Sequence, residues 1–230
     1  MGIVTGPGHR ALPRRAGVGR VGQTRACGEA EVQSVSGLAK GPPKLVDWLA
    51  GRVLGMIGTG YVGLVSGARF SDFGHVVTCI DKDPSKIQRL ELGEIPIFEP
   101  GLDDLVARNV REGRLFFTLE GAVAIKNADM VFIAVGTPTR RGYDHADLSY
   151  FYVAAEEIAG LIDVFTLFVT KSTVPVGTGG EVEAIIKRTN LNAQFAVVSN
   201  IEFLREGAAI EDFKRPDRVV GAPSASAPRR

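Results

Sequence analysis

The chain has 230 residues, 27 of them basic and 26 acidic, for a net charge of +1, with 45% hydrophobic and 23% charged side chains. That balance excludes a dedicated nucleic-acid protein, which needs excess positive charge against phosphates, and the composition is that of a globular chain, not a disordered one. No apolar run approaches the roughly 18–20 residues of a membrane span, and two cysteines, Cys27 and Cys79, make neither a disulfide scaffold nor a four-cysteine zinc site. A cytoplasmic, reducing compartment follows, with no membrane and no nucleic acid as partner.

Residues 1–51 hold seven basic and three acidic side chains and are rich in Gly, Arg and Pro (GPGHRALPRRAGVGRVG). They show no helix or strand period and no apolar stretch for a secretory signal. Three readings stand: a disordered extension, an organelle transit peptide, or non-native sequence from a misplaced translation start. At Arg52 the texture changes. Apolar strands are expected at 52–57 (RVLGMI), 75–81 (HVVTCID), 130–135 (MVFIAV), 166–171 and 195–199, with a weak one at 115–118. Helices are expected at 60–73, 84–92, 101–111, 122–127, 148–161 and 180–188. Asp83 followed by Pro84 is an N-cap and N1 pair that opens the second of these.

Strands and helices alternate, and the strands are continuous apolar runs, as when helices cover both faces of a sheet. The fold expected is a doubly wound α/β domain, Rossmann-like, with a mostly parallel sheet. It spans 52–220, with 1–51 an unassigned leader and 221–230 a tail. Right-handed crossovers place every strand's C-terminal end along one edge, where ligands bind.

The strongest local signal is Gly58-Thr59-Gly60-Tyr61-Val62-Gly63, set between a strand and a helix. A second strand then ends in Asp81. In that context GxGxxG is a dinucleotide fingerprint. Gly58 permits the turn, Gly60 admits a pyrophosphate to the helix start, and Gly63 lets the helix pack on the strand. Asp81 can accept from a ribose diol and would repel a 2′-phosphate, which favours NAD over NADP. Lys86 is either a ribose contact or a solvated helix charge. Thr137 and Ser172, at two other strand ends, are either loop caps or site residues. Glu202 and Glu206 are four apart and would share a face if their segment were helical. Their mutual repulsion then points to a ligand between them. His145 reads as a solvated loop residue and Cys79 as an inert core thiol. No metal-ligand spacing occurs.

The ordered series IGTGYVGLVSG, IDKD, IPIFEPGL, FIAVGTPT, HADLSY, TKSTVPVGT and EFLREGAAIEDFKRPDR resembles the N-terminal half of the UDP-glucose 6-dehydrogenases, within the UDP-glucose/GDP-mannose dehydrogenase family. The resemblance runs from about Val53 to Val220. It implies an oxidoreductase that uses two NAD+ to oxidise the C6 alcohol of a nucleotide sugar to a carboxylate through a cysteine thioester. UDP-glucose is the substrate implied, with GDP-mannose or another nucleotide sugar as the alternative. It implies NAD contacts at Val62, Asp81, Lys86, Thr137, Thr173 and Glu206, beside the glycine turn with Tyr61. It also implies a nucleotide-sugar site lined by Glu202, Phe203, Leu204, Arg205 and Glu206, with Glu202 as acid/base and Thr173 placing the hydrolytic water.

Three departures stand out. Ile201 replaces a usual Pro, which would loosen the aim of Glu202, and Gly55 replaces a usual Ala, a small expected loss of stability. After DRVV the family continues into a helix and a third portion with the catalytic Cys, whereas GAPSASAPRR reads as a tail. The expectation is a truncated, poorly active chain without the catalytic Cys and the nucleotide-sugar-binding half, or a non-catalytic NAD-binding fragment. The family pairs through the missing helix, so a homo-oligomer is not expected of this chain.

Overall fold

The computed structural model describes residues 51–137 and 147–223. The leader with His9 and Cys27, the segment 138–146 with His145, and residues 224–230 lie outside them. Seven strands form one sheet: β1 Val53–Ile57, β2 Val76–Ile80, β3 Leu115–Thr118, β4 Met130–Ile133, β5 Thr166–Thr170, β6 Phe195–Ile201 and β7 Val220–Pro223. Their spatial order is β3-β2-β1-β4-β5-β6-β7. The first six are parallel and β7 runs antiparallel to β6. The helices are α1 Tyr61–Asp72, α2 Pro84–Glu91, α3 Leu102–Arg111, α4 Gly121–Ile125, α5 Ser149–Ala159, α6 Thr178–Thr189 and α7 Ala209–Lys214.

The expected doubly wound architecture is present. Side chains alternate across a strand, so neighbouring residues of one apolar run enter different cores. In β4, Phe132 joins a cluster with Leu54, Met56, Leu64 and Val77, while Val131 and Ile133 join another with Phe151, Ile158, Phe168 and Ile186. The strand order reverses between β1 and β4, which opens a crevice at their C-terminal ends. Asp83 caps α2 as expected, its side chain accepting from the Ser85 amide at 2.9 Å.

Four features differ from expectation. The first is α6, which starts two residues earlier than predicted, from Gly177 at φ +101°. Buried Val182 and Ile186 hold it in place despite the weak helix propensity of Gly179 and Gly180. The second and third are α7 and β7, which were not foreseen. Strand β7 takes in the first residues of the expected tail and pairs Val220 with Ile201. Ile201 thus extends β6 by its ladder register, where the sequence suggested a loosened aim of Glu202. The fourth is Gly55, where a methyl group would lie 3.0 Å from the Ala124 carbonyl oxygen. The glycine therefore serves the close packing of α4, which corrects the expected simple loss of stability.

Cys79 is fully buried, and burial pushes its thiol up to about 12, as an inert core position requires. No helix among the described residues is long and apolar enough to cross a membrane.

His75 sits just before β2, 8% exposed, edge-on to Phe70, with Nδ1 buried and unpartnered. Burial, and then the charge of Arg52, lower its pKa below the ordinary 6.5. Folding disfavours the protonated imidazole, so around and below pH 6.5 the unfolded chain binds more protons here. Its contribution is present above 6.5 and declines as pH falls from there toward the folded value. His75→Gln should flatten the slope of unfolding free energy between pH 7 and 5 in urea titrations. An unchanged slope would assign the pH dependence to other groups.

Candidate functional site

The site is built on the turn between β1 and α1. Gly58 has φ +100°, and its amide donates to the Ile80 carbonyl at 2.7 Å, which ties the turn to the end of β2. A methyl group on Gly58 would lie 2.7 Å from the Ala134 carbonyl oxygen, and one on Gly63 only 2.0 Å from the Gly58 carbonyl oxygen. Around Gly60 there is open space. Gly60 is the N-cap of α1 and offers no side-chain cap, so the first N–H groups of the helix face outward without intrahelical partners. An open, uncapped helix start of this kind fits a pyrophosphate, by hydrogen bonding and by the helix dipole. Val62 and the ring of Tyr61 pack on the core, so that turn offers backbone rather than side chains.

Asp81 follows β2 at the edge of the same crevice. It accepts from the Thr59 amide at 2.9 Å, the Thr59 hydroxyl at 2.7 Å and the Asp83 amide at 3.1 Å. Lys86 Nζ stands 3.6 Å from its Oδ2. Burial raises the carboxyl, but the hydrogen bonds from Thr59 and Asp83 and the charge of Lys86 outweigh it and hold Asp81 below the usual carboxylate range. The sequence suggested Asp81 as a ribose acceptor alone. The structure also makes it the buttress of the glycine turn. Each carboxylate oxygen can accept twice, so Oδ1, which accepts from the Asp83 amide, retains capacity for a ribose hydroxyl.

Thr137 lies half-buried just beyond β4. The Ser172 hydroxyl donates to the Val135 carbonyl at 2.8 Å, which ties the loop after β5 to the loop after β4. Ser172 is therefore a loop fastener, one of its two readings. Thr173, next along, is exposed.

Beyond β6 the chain does not become helical. Residues 202–205 have no regular structure and 206–208 form a turn, so the shared helical face expected for Glu202 and Glu206 is absent. Gly207, at φ +84°, sits in the middle of that turn. A cavity of about 820 Å³ opens beside this loop, lined by Glu202, Phe203, Leu204 and Arg205 together with Lys171 and Phe213. Glu206 and Thr173 are not among its lining residues. Glu202 Oε2 is buried without a hydrogen-bond partner. The Arg205 guanidinium is held by Asp212, at 3.0 Å from Nε and 2.6 Å from Nη2, and this pairing brings the Asp212 carboxyl down to about 2.

Two site residues escaped the sequence reading. Lys171, 5% exposed at the end of β5, donates to Asn200 Oδ1 at 3.2 Å and lies 5.3 Å from the centre of the Phe213 ring. Burial lowers its pKa and the Glu202 charge opposes that. A buried ammonium and a buried, unsatisfied carboxylate oxygen border one cavity, an arrangement that suits a polyhydroxylated ligand able both to donate and to accept. The second is Glu99, which fastens the acidic loop to α1. Both stand within the motif series that carries the resemblance, Lys171 in TKSTVPVGT and Glu99 in IPIFEPGL, and neither motif shows what the charge pairs with.

Comparison with known proteins agrees with this geometry. The chain is 68% identical over 165 residues to a UDP-glucose 6-dehydrogenase of Rhizobium meliloti, covering 72% of this chain and 38% of that protein. It is 40% identical to the structure of a UDP-glucose dehydrogenase from Pyrobaculum islandicum, with a TM-score of 0.73 over 76% of this chain and 41% of that one. It is 34% identical to a GDP-mannose dehydrogenase structure from Pseudomonas aeruginosa, with a TM-score of 0.71 over 74% and 41%. The chain thus spans about two fifths of the length of the relatives it matches. The model of the UDP-glucose/GDP-mannose dehydrogenase family, NAD binding domain, matches residues 52–229, and on that match the chain belongs to this family.

Proposed function

We propose that the chain carries the NAD-binding part of a cytoplasmic UDP-glucose 6-dehydrogenase, which oxidises UDP-glucose to UDP-glucuronate. The 68% identity to the Rhizobium meliloti enzyme carries the choice of sugar nucleotide, and the glycine turn braced by Asp81 supports the choice of cofactor. In this reading the backbone of Gly58, Gly60, Tyr61, Val62 and Gly63 holds the pyrophosphate. Asp81 and Lys86 hold the adenosine ribose, and Thr137, Thr173 and Glu206 complete the cofactor contacts. Bound NAD+ supplies the hydride acceptor. Glu202 through Glu206 border the nucleotide sugar. The Glu202 carboxylate takes the proton of the C6 hydroxyl as general base, and Thr173 places the water for the hydrolytic step.

The cofactor half is tested by calorimetric titration of the 230-residue chain. NAD+ should saturate at or below about 1 mM. NADP+ should bind at least about tenfold more weakly, because its 2′-phosphate meets the Asp81 carboxylate. Equal affinity for both would reject the role of Asp81. The substrate half needs this segment joined to the remainder of the Rhizobium meliloti relative. That protein should reduce NAD+ with UDP-glucose and not with GDP-mannose. Glu202→Gln should lower its kcat by about 10²–10⁴-fold, and undiminished turnover would remove Glu202 from the chemistry.

A further inference from the structure

Glu99 belongs to the link between α2 and α3, in the stretch IPIFEPGL, and is charged yet only 3% exposed. A buried carboxylate is costly unless donors surround it. Here Oε2 accepts from the Tyr61 hydroxyl at 2.5 Å and the Gly207 amide at 2.8 Å, and Oε1 from the Ile210 amide at 3.4 Å. The Tyr61 hydroxyl also lies 3.3 Å from the Arg205 carbonyl oxygen. Burial raises the Glu99 carboxyl, but these donors hold it below the usual range. Burial and the Glu99 charge push the Tyr61 phenol well above its ordinary value, so the hydroxyl stays a donor.

The donors come from two places that the chain keeps far apart. Tyr61 is the first residue of α1, directly after the open Gly60 position. Gly207 lies within the turn 206–208, beyond Glu202, and Ile210 is the second residue of α7. We propose that Glu99 is a positioning residue that locks the acidic loop 202–207 onto the start of α1, so that the loop and the dinucleotide turn keep one register and cofactor binding at the turn orders the loop. This rests on the cofactor reading above. The lock itself depends only on this chain's own hydrogen bonds. A charged acceptor is required because it alone takes all three bonds without donating.

The test uses the full chain as wild type, Tyr61→Phe, Glu99→Gln and Glu99→Ala, with NAD+ affinity, amide hydrogen exchange over residues 204–211 and the unfolding midpoint measured on each. In the wild type, saturating NAD+ should slow exchange at Gly207 and Ile210. Tyr61→Phe removes one hydroxyl and leaves the backbone turn in place. It should keep its midpoint within a few degrees, bind NAD+ about tenfold more weakly and lose most of the cofactor-dependent protection. Glu99→Gln, which keeps acceptor oxygen for the amides, should recover part of what Glu99→Ala loses. A mere stabilising contact would lower the midpoint without changing the response to NAD+. Tyr61→Phe and Glu99→Gln with wild-type affinity and wild-type protection would overturn the proposal. If the wild type does not bind NAD+, the cofactor reading fails separately. The lock is then judged without cofactor, since Tyr61→Phe must speed exchange at Gly207 and Ile210, and unchanged exchange there refutes it.

Discussion

Gly60→Ala should weaken NAD+ binding about ten- to a hundredfold and leave folding nearly intact, whereas Gly63→Ala should damage the fold itself. The two glycines stand three residues apart in one motif, and their surroundings are unlike. A methyl group on Gly60 meets nothing within 4 Å, and its φ of −70° suits any residue. The added carbon therefore costs the free protein little. It occupies the space a pyrophosphate needs, an overpacking of about 1–3 kcal/mol that falls on the complex alone. On Gly63 the same methyl group would sit 2.0 Å from the Gly58 carbonyl oxygen and 3.5 Å from Ala134 Cβ. Gly58 is held in place, because its amide is bonded to the Ile80 carbonyl. The strain there should reach or exceed the upper end of about 3 kcal/mol. That lowers the midpoint by about 6–12 °C in a domain of this size. Thermal unfolding beside calorimetry separates the two cases. A Gly60→Ala protein that binds NAD+ normally would mean that the cofactor does not approach this turn.

Removing the Asp81 carboxylate should have the second large effect, because the group serves the turn and the ligand together. In Asp81→Ala, the Thr59 amide and hydroxyl lose their acceptor at a residue only 1% exposed. Unsatisfied buried donors cost about 1–3 kcal/mol. NAD+ affinity should fall with stability. Discrimination against NADP+ should fall as well, since Lys86, 3.6 Å from the lost carboxylate, is then free to meet a 2′-phosphate. The pH dependence has a definite sign. Asp81 titrates lower in the folded than in the unfolded chain, so its stabilisation is complete above the ordinary value of 3.8 and is lost as pH falls through the folded value. Denaturant titrations from pH 6 down to 3 should show a steeper decline for the wild type than for Asp81→Asn. Parallel curves would show that Thr59 does not depend on the ionised form.

The alternation of apolar runs with helical segments made the six parallel strands and most of the helices readable from residue order, because each depends on a pattern within one segment: a continuous apolar run for a strand, a helical period for a helix. Strand β7 has no such signal. Its four residues are a strand because β6 offers them an edge, a partner about twenty positions away. Helix α7, six residues long, is too short to show a period. The pair Glu202 and Glu206 shows how spacing can mislead: four positions imply one face only in a helix, and here Gly207 sits in a turn instead.

The chain's dinucleotide turn was legible in residue order because its requirements are local: glycines at fixed offsets, a helix start without a capping side chain, and an acid at the end of the next strand. The buttress of Asp81 on Thr59, the burial of Lys171 against Asn200 and the grip of Glu99 on Tyr61, Gly207 and Ile210 became visible in the folded molecule. Their partners lie between 22 and 111 positions away in the chain. A buried charge is stable only where folding brings such distant donors or acceptors to it, and no period or motif in the residues encodes which ones arrive.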